Sequence, residues 1–490
     1  MRRPFISIAL AAAWFCICPE RGLGAATAPA SPYVAYRQPV IAIAHVRVID
    51  GTGAPALPDQ TVLFSNGTIR SIEKSKASPP NAFVIDGTGK TLMPGYVGTH
   101  NHLFTGVGPR GHHRWRAMPF SFPRLYLAAG TTTIRTTGSM DIYSDMNAKA
   151  AIDAGTSPGP DIDLTSPYLT GPGNEDPQMD ALRDVKDARE TVGFWADRGV
   201  TSFKVYTYVS HDALQAVVAE AHARGLKVLG HLCSIGYHEA AALGIDSLEH
   251  GPYFTDTEFV PDRPAIGCVD NLKRVTSNAA IDPRDPRMTA LIADLVARHV
   301  AVSSTLPVFE SEDAPPSDAI EAPTLATLAP EERDYVVAIR KLISGPFPAE
   351  VLKNYPHVAA DETRLFANET QFELEFLRAG GLLTCGPDPS GYGAVVAGYG
   401  DWRELELLVA GGFTPLEAIH VATQNGAISL GREATIGTIA AGKKADLILV
   451  DGDPSITISD IERVDTVFKN GLGYDSKKLF ASVAGLVGDL

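Results

Sequence analysis

Cysteine is scarce in this chain, with five among 490 residues. Cys16 and Cys18 fall in the first apolar run, which leaves Cys233, Cys268 and Cys385, too few and too scattered for a disulfide framework. At most one bridge can form, and a fully reduced trio is equally open. Cys233, two residues beyond His231, reads as a small core residue rather than a soft metal ligand. Positive charge is also short. Lys and Arg number 42 against 57 Asp and Glu, a net charge of −15, which disfavours nucleic acid or an anionic membrane as a partner. Beyond the N-terminal segment the chain lacks any run of about 18 apolar residues, so no membrane span or anchor is expected.

What is present at the N-terminus is a different signal. Arg2 and Arg3 precede an apolar stretch from Phe5 to Cys18, and small residues follow from Gly22 to Ala26. That charged, apolar, small-residue order is the pattern of a secretory signal peptide. We expect residues 1–26 to be removed by cleavage near Ala25 or Ala26, and the mature protein to be exported, periplasmic or secreted.

Both ends of the remaining chain read as short strands. Val40–Asp50 alternates, and TVLF and TIRSIEK flank Asn66-Gly67, a strong signal for a tight hairpin. Near the other end ADLILVDGDP and Val464–Lys469 read the same way. The economical expectation is a small β domain built from residues 27–93 and 434–475, with residues 476–490 as a tail. The centre alternates instead: SFKVYTY, a helical stretch at 212–224 stopped by Gly225, KVLGH, a helix from Tyr237 to Leu243, then DSLEH. This rhythm argues for βαβ units and a parallel sheet. Over residues 94–433 it fits an α/β fold of the (β/α)8 barrel type. Residues from about 311 to 362, rich in Pro and acids, exceed what the barrel needs and read as an insertion with helical pieces such as 331–342. A specificity lid and a solvated surface elaboration are equally open for it.

The chemistry gathers at strand ends. In MPGYVGTHNH, His100 and His102 are spaced to share one face of a strand, so two imidazoles can meet at one transition metal ion such as zinc. Lys204, His231, His250 and Asp388 follow at the ends of later strands, the end at which barrels of this type build their sites. His112, His113, His222, His238, His299, His357 and His420 are not expected to bind metal. His113 and Tyr206 are candidates to face a substrate.

Taken together these residues resemble the amidohydrolase superfamily over nearly the whole mature chain. MPGYVGTHNH looks like its first-strand signature, Lys204 like its fourth-strand lysine, His231 and His250 like its fifth- and sixth-strand histidines, and Asp388 like its eighth-strand aspartate. ATIGTIAAGKKADLILVDGDP resembles the return to the β-sandwich. SFKVYTYVSHDALQAVVAEAHARGLKVLGHL and GIDSLEHG resemble the imidazolonepropionase-related branch, which includes metal-dependent dipeptidases. The resemblance implies two divalent ions, zinc by expectation. His100, His102 and Asp388 would hold the more buried one and His231 and His250 the more exposed one. A carboxylated Lys204 would bridge them, because an ammonium only donates whereas a carbamate offers two oxygens. Two places depart from the pattern: Gly98 stands where an acid is usual, and Thr136 where an aspartate usually follows the arginine. Neither is a ligand position.

The resemblance further implies a hydrolase in which a metal-bridging hydroxide attacks an amide carbonyl and Asp388 shuttles the proton. Dipeptides or N-acyl amino acids are the expected substrates, so the expected partner is a small molecule or peptide; a homo-oligomer is left open. The alternatives are a cyclic amide, lactone or ester cleaved by the same centre, and a non-catalytic metal-binding module.

Overall fold

A computed structural model describes residues 31–75, 81–108, 114–174, 176–264, 267–312 and 320–488. The N-terminal segment and His113 therefore lie outside the described residues. The described residues from Tyr33 onward form one body.

One sheet of nine strands draws on both ends of the chain. Its order runs Val34–Tyr36, Leu472–Asp475, Val464–Lys469, Leu447–Asp451, Lys90–Pro94, Val40–Val48, Leu57–Ser65 and Thr68–Lys74, with Phe83–Asp86 also paired to Val40–Val48. The Asn66-Gly67 turn joins two of these strands, and both residues have positive φ, 48° and 76°. That is the geometry for which a two-residue hairpin selects Asn-Gly.

The centre is mixed α/β with parallel strands. We number eight of them β1 Tyr96–Asn101, β2 Thr131–Thr136, β3 Asp161–Leu164, β4 Ser202–Val205, β5 Lys227–Gly230, β6 Ser247–Glu249, β7 Ala301–Ser304 and β8 Leu383–Cys385. One sheet has the order β3-β2-β1, and another carries β4 through β8 in sequence. A parallel bridge between Thr165 and Ser202 links the end of β3 to β4. At the other side the Thr99 hydroxyl of β1 donates to Thr384 Oγ1 of β8 at 2.8 Å. Every residue of β1, β2, β4, β6, β7 and β8 is buried, as expected for parallel strands covered on both faces. Buried polar residues inside these runs, such as Lys204 and Glu249, are therefore exceptional.

Local signals set the helices between strands. The helix after β4 spans His211–Ala223, Ser210 Oγ accepts from the Ala213 amide at 3.2 Å, and Gly225 follows at φ 71°. These are a side-chain N-cap and a glycine just past the end. The helix after β5 covers Tyr237–Ala242. The described part of the expected insertion carries helices at Ala322–Thr327, Pro330–Ile343, Ala349–Asn354 and the start of Val358–Arg378. Residues 476–488, expected as a tail, instead pack onto the body. They open with a helix at Ser476–Ala481, and Ser476 Oγ donates to the Ala128 carbonyl at 2.7 Å.

Cys233 does not behave as an isolated core residue. It is bonded to Cys268, tying the segment after β5 to the segment that follows β6, while Cys385 is free and buried. No helix among the described residues is long and apolar enough to cross a membrane.

Candidate metal centre

The ends of β1, β4, β5, β6 and β8 bring six of the residues singled out from the sequence to one place. His100, Lys204, His231, His250 and Asp388 line a common cavity of about 290 Å³, together with Tyr206. His102 closes the group from below: one ligand atom each from His100, His102 and Asp388 lie within 4.8 Å of one another. The His100 ring is 4.6 Å from that of His250, and His250 is 4.6 Å from His231. A larger cavity of about 380 Å³ lies elsewhere, over the helix Tyr399–Ala410, and contains none of these residues.

The strand ends are bent to make this possible. His250 has φ 74° and Asp388 φ 46°, left-handed values that are rare outside glycine and cluster at functional sites. Gly386 lies so close to the His100 backbone that a side chain there would meet His100 N, C and O at 2.5–2.6 Å. Glycine at this position lets β8 approach β1, and the Asp388 amide then donates to the His100 carbonyl at 3.1 Å.

The imidazoles are held in a ligating tautomer. His102 Nδ1 is 3.2 Å from the Gly138 carbonyl, an acceptor only, so Nδ1 carries the proton and Nε2 presents a lone pair. His100 Nδ1 faces Glu249 Oε2 at 2.5 Å, which orients that ring the same way. Such partners on the far nitrogen are what metal-binding histidines use. Nε2 of His102 then stands 3.0 Å from Asp388 Oδ1 and Nε2 of His100 3.5 Å from Oδ2. Acceptors this close need a cation or proton between them. His250 Nδ1 lies 2.7 Å from Thr305 Oγ1.

Electrostatics agree with this picture. Burial, then the nearby Lys204 charge, lowers His100 to about 4 and His231 to about 3; burial, then His231, pushes His250 well below its usual value. Neutral imidazole is the ligating form. Burial would raise Asp388, but His100, His102 and His250 hold it well below the usual carboxylate range. Lys204 is 1% exposed and its Nζ has no hydrogen-bond partner. Burial brings it down to about 8. An unpaired ammonium there is costly. The imidazoles and the carboxylate are donors that fit a metal ion, and His100, His102 and Asp388 stand close enough to share one.

The departures from the superfamily pattern have local explanations. Asn101 Oδ1 occupies the space a side chain at Gly98 would need, and Asn101 Nδ2 donates to buried Asp401 at 3.3 Å. Thr136 Oγ1 accepts from the Thr165 amide at 3.1 Å, across to the segment after β3. Two residues not singled out from the sequence support the centre. Glu249, fully buried, contacts His100, accepts from Ser247 Oγ at 3.0 Å and lies 3.5 Å from Arg135 Nη2. Arg135 Nε in turn donates to the Thr99 carbonyl at 3.0 Å. Burial would raise Glu249, but Lys204 and His100 lower it to about 2. A carboxylic acid inside an otherwise buried strand, one residue before a strand-end histidine, was the available signal.

Proteins of known structure have this fold. Solved chains share it over most of their length: a Xaa-Pro dipeptidase with bound methionine (TM-score 0.64, 20% identity, 89% of this chain and 100% of that one) and the bottromycin amidohydrolase (TM-score 0.68, 20% identity, 91% of each). At this identity the likeness defines the fold. Residues 391–472 match the amidohydrolase family. An imidazolonepropionase from Shouchella clausii (strain KSM-K16) is 44% identical over 61 residues, 12% of this chain and 14% of the relative. The curated relatives it matches are spanned over only 12% and 14% of their length. The chain carries an amidohydrolase family region and has the fold of solved amidohydrolases and prolidases, in keeping with the motifs that suggested that superfamily.

Proposed function

We propose that this chain is an exported, metal-dependent hydrolase of amide bonds, acting on dipeptides or N-acyl amino acids. The observation that carries the reading is Lys204: a fully buried amine with no partner, set among His100, His231, His250 and Asp388. In this reading β1 to β8 close into a (β/α)8 barrel, and the nine-stranded sheet is the β-sandwich domain beside it. His100, His102 and Asp388 would hold one ion and His231 and His250 the other, with a carboxylated Lys204 as a further ligand.

Bound divalent ions, zinc in this proposal, supply Lewis acidity that polarises the substrate carbonyl and makes water acidic near neutral pH. The chain's own residues do the rest. Asp388 takes a proton from the attacking water and delivers it to the leaving nitrogen. Its Oδ1 accepts from Ser390 Oγ at 2.7 Å, which fixes the carboxylate for that exchange. Glu249 and the Gly138 carbonyl keep His100 and His102 aimed.

Export is supported by the charged and apolar N-terminal segment and by the Cys233–Cys268 bond, since such bonds persist in oxidising compartments. The test is amino-acid release from a pooled dipeptide and N-acyl amino acid library, using mature protein grown with zinc and bicarbonate. Chelator-sensitive release is expected. No release from a protein carrying two metal ions would overturn the peptide assignment and bring lactones, cyclic amides and esters forward.

A further inference from the structure

Above the centre, the cavity is walled by rings. Tyr206 packs 4.7 Å from His231, Tyr168 sits 5.1 Å from Tyr206 at 76°, and Phe104 bridges Tyr168 (6.4 Å) to Trp115 (5.3 Å, 79°). A second run rises from the other histidine: Phe309 lies 5.4 Å from His250 and is stacked on Phe254 at 3.7 Å and 3°. The two runs meet at the His231–His250 pair. Trp115, Tyr168, Tyr206 and Phe309 all line the same cavity.

The rings are fixed rather than adaptable. Trp115 Nε1 donates to Asp176 Oδ2 at 2.7 Å, and Tyr168 packs edge-on against both Tyr206 and Phe104. Phe309 is backed face to face by buried Phe254. Ring walls of this kind favour offset or edge-on contact with another ring over contact with a saturated chain of equal area. The volume, about 290 Å³, stands at the lower end of the range for small-molecule sites. It suits one ring and the amide beside it.

We infer that the substrate carries a single-ring aryl group next to the scissile amide, seated between Phe309 on one side and Tyr168, Tyr206 and Trp115 on the other. This inference rests on the amide-hydrolase reading for the bond that is cut, but not for the ring that is bound. The experiment therefore has two arms. In the first, kcat/KM is compared for matched amides bearing phenyl, cyclohexyl or methyl on either side of the bond. Phenyl is expected to exceed cyclohexyl by about tenfold, and Phe309→Leu, which keeps apolar area but removes the ring, is expected to bring that ratio close to one. In the second arm, metal-free protein is titrated with benzamide and with cyclohexanecarboxamide while tryptophan fluorescence is followed. Trp115→Phe identifies the reporting residue. Tighter quenching by benzamide, lost in Trp115→Phe, supports the slot even if no amide is cleaved, a result that would count against the hydrolase reading alone. Equal use of phenyl and cyclohexyl amides, or equal binding of the two carboxamides, would overturn the inference.

Discussion

Glu249 shows how a single side chain governs the centre without lying where a substrate would sit. Its carboxylate presses on His100 Nδ1, and Arg135 and Ser247 hold it from behind. Replacing it by Gln removes the charge that orients the ring but keeps the volume. Removing such a supporting partner costs roughly 10–100-fold in metal affinity. We therefore expect Glu249→Gln to fold normally and to lose metal to a competing chelator at about 10–100-fold lower concentration than the parent protein. Unchanged metal retention would show that His100 needs no such support. The ligand candidates themselves stood out in the sequence because histidine, lysine and aspartate at the ends of apolar runs are conspicuous. Glu249 did not, because an acid beside a histidine in a short strand looks like any surface pair until the sheet buries it. Lys204 carries the complementary lesson: its position was legible, but the absence of any partner for its amine is a fact of packing.

At the scale of elements, strands with strong local chemistry were readable and bland ones were not. The Asn66-Gly67 hairpin, the helix closed by Gly225, and the strands ending in His231 and His250 carried turn, cap and period signals. Strands β3 (DIDL) and β7 (AVSS) did not: each is four residues long, without a β-branched or aromatic run and with no candidate ligand at its end. Their place is set by neighbours, β3 against β2 and β7 between β6 and β8. The Cys233–Cys268 bond was equally hidden, since three scattered cysteines leave the pairing open. It closes a loop with a sequence separation of 35, and a cross-link of that length stabilises a chain by roughly 3–4 kcal/mol on the chain-entropy account. Cys268→Ser is expected to lower the unfolding free energy by about that amount, read by denaturant titration. His231 should stay in place, so metal content at low denaturant should match the parent. An unchanged midpoint would mean that the loop is held by its other contacts.

Across the whole molecule, the sheet built from both chain ends is bound to the parallel strands by charge as well as by apolar packing. Asp161, on β3, accepts from Lys469 Nζ at 2.6 Å and Lys444 Nζ at 3.1 Å, while Arg432 reaches it at 2.9 Å and Asp163 at 3.2 Å. Lys469 lies on a strand of the nine-stranded sheet and Lys444 just before another, so one carboxylate spans the seam between the two parts. No spacing rule connects positions 161, 432, 444 and 469, and none of this was legible beforehand. Burial would raise the Asp161 pKa, but Lys469 and then Lys444 hold it well below the usual carboxylate value. A carboxylate whose folded pKa is depressed adds stability above its unfolded pKa, near 4, and loses it as pH falls through the folded value. Asp161→Asn should therefore cost stability at pH 7, roughly 2–4 kcal/mol because buried or half-buried cations lose their partner. The deficit should shrink as pH drops below about 4, where the carboxylate of the unfolded parent chain begins to take up its proton while the folded one stays ionised. Thermal unfolding of both proteins from pH 7 to pH 3 checks the sign. A deficit that stayed constant over that range would mean Asp161 acts through shape and hydrogen bonding rather than through its charge.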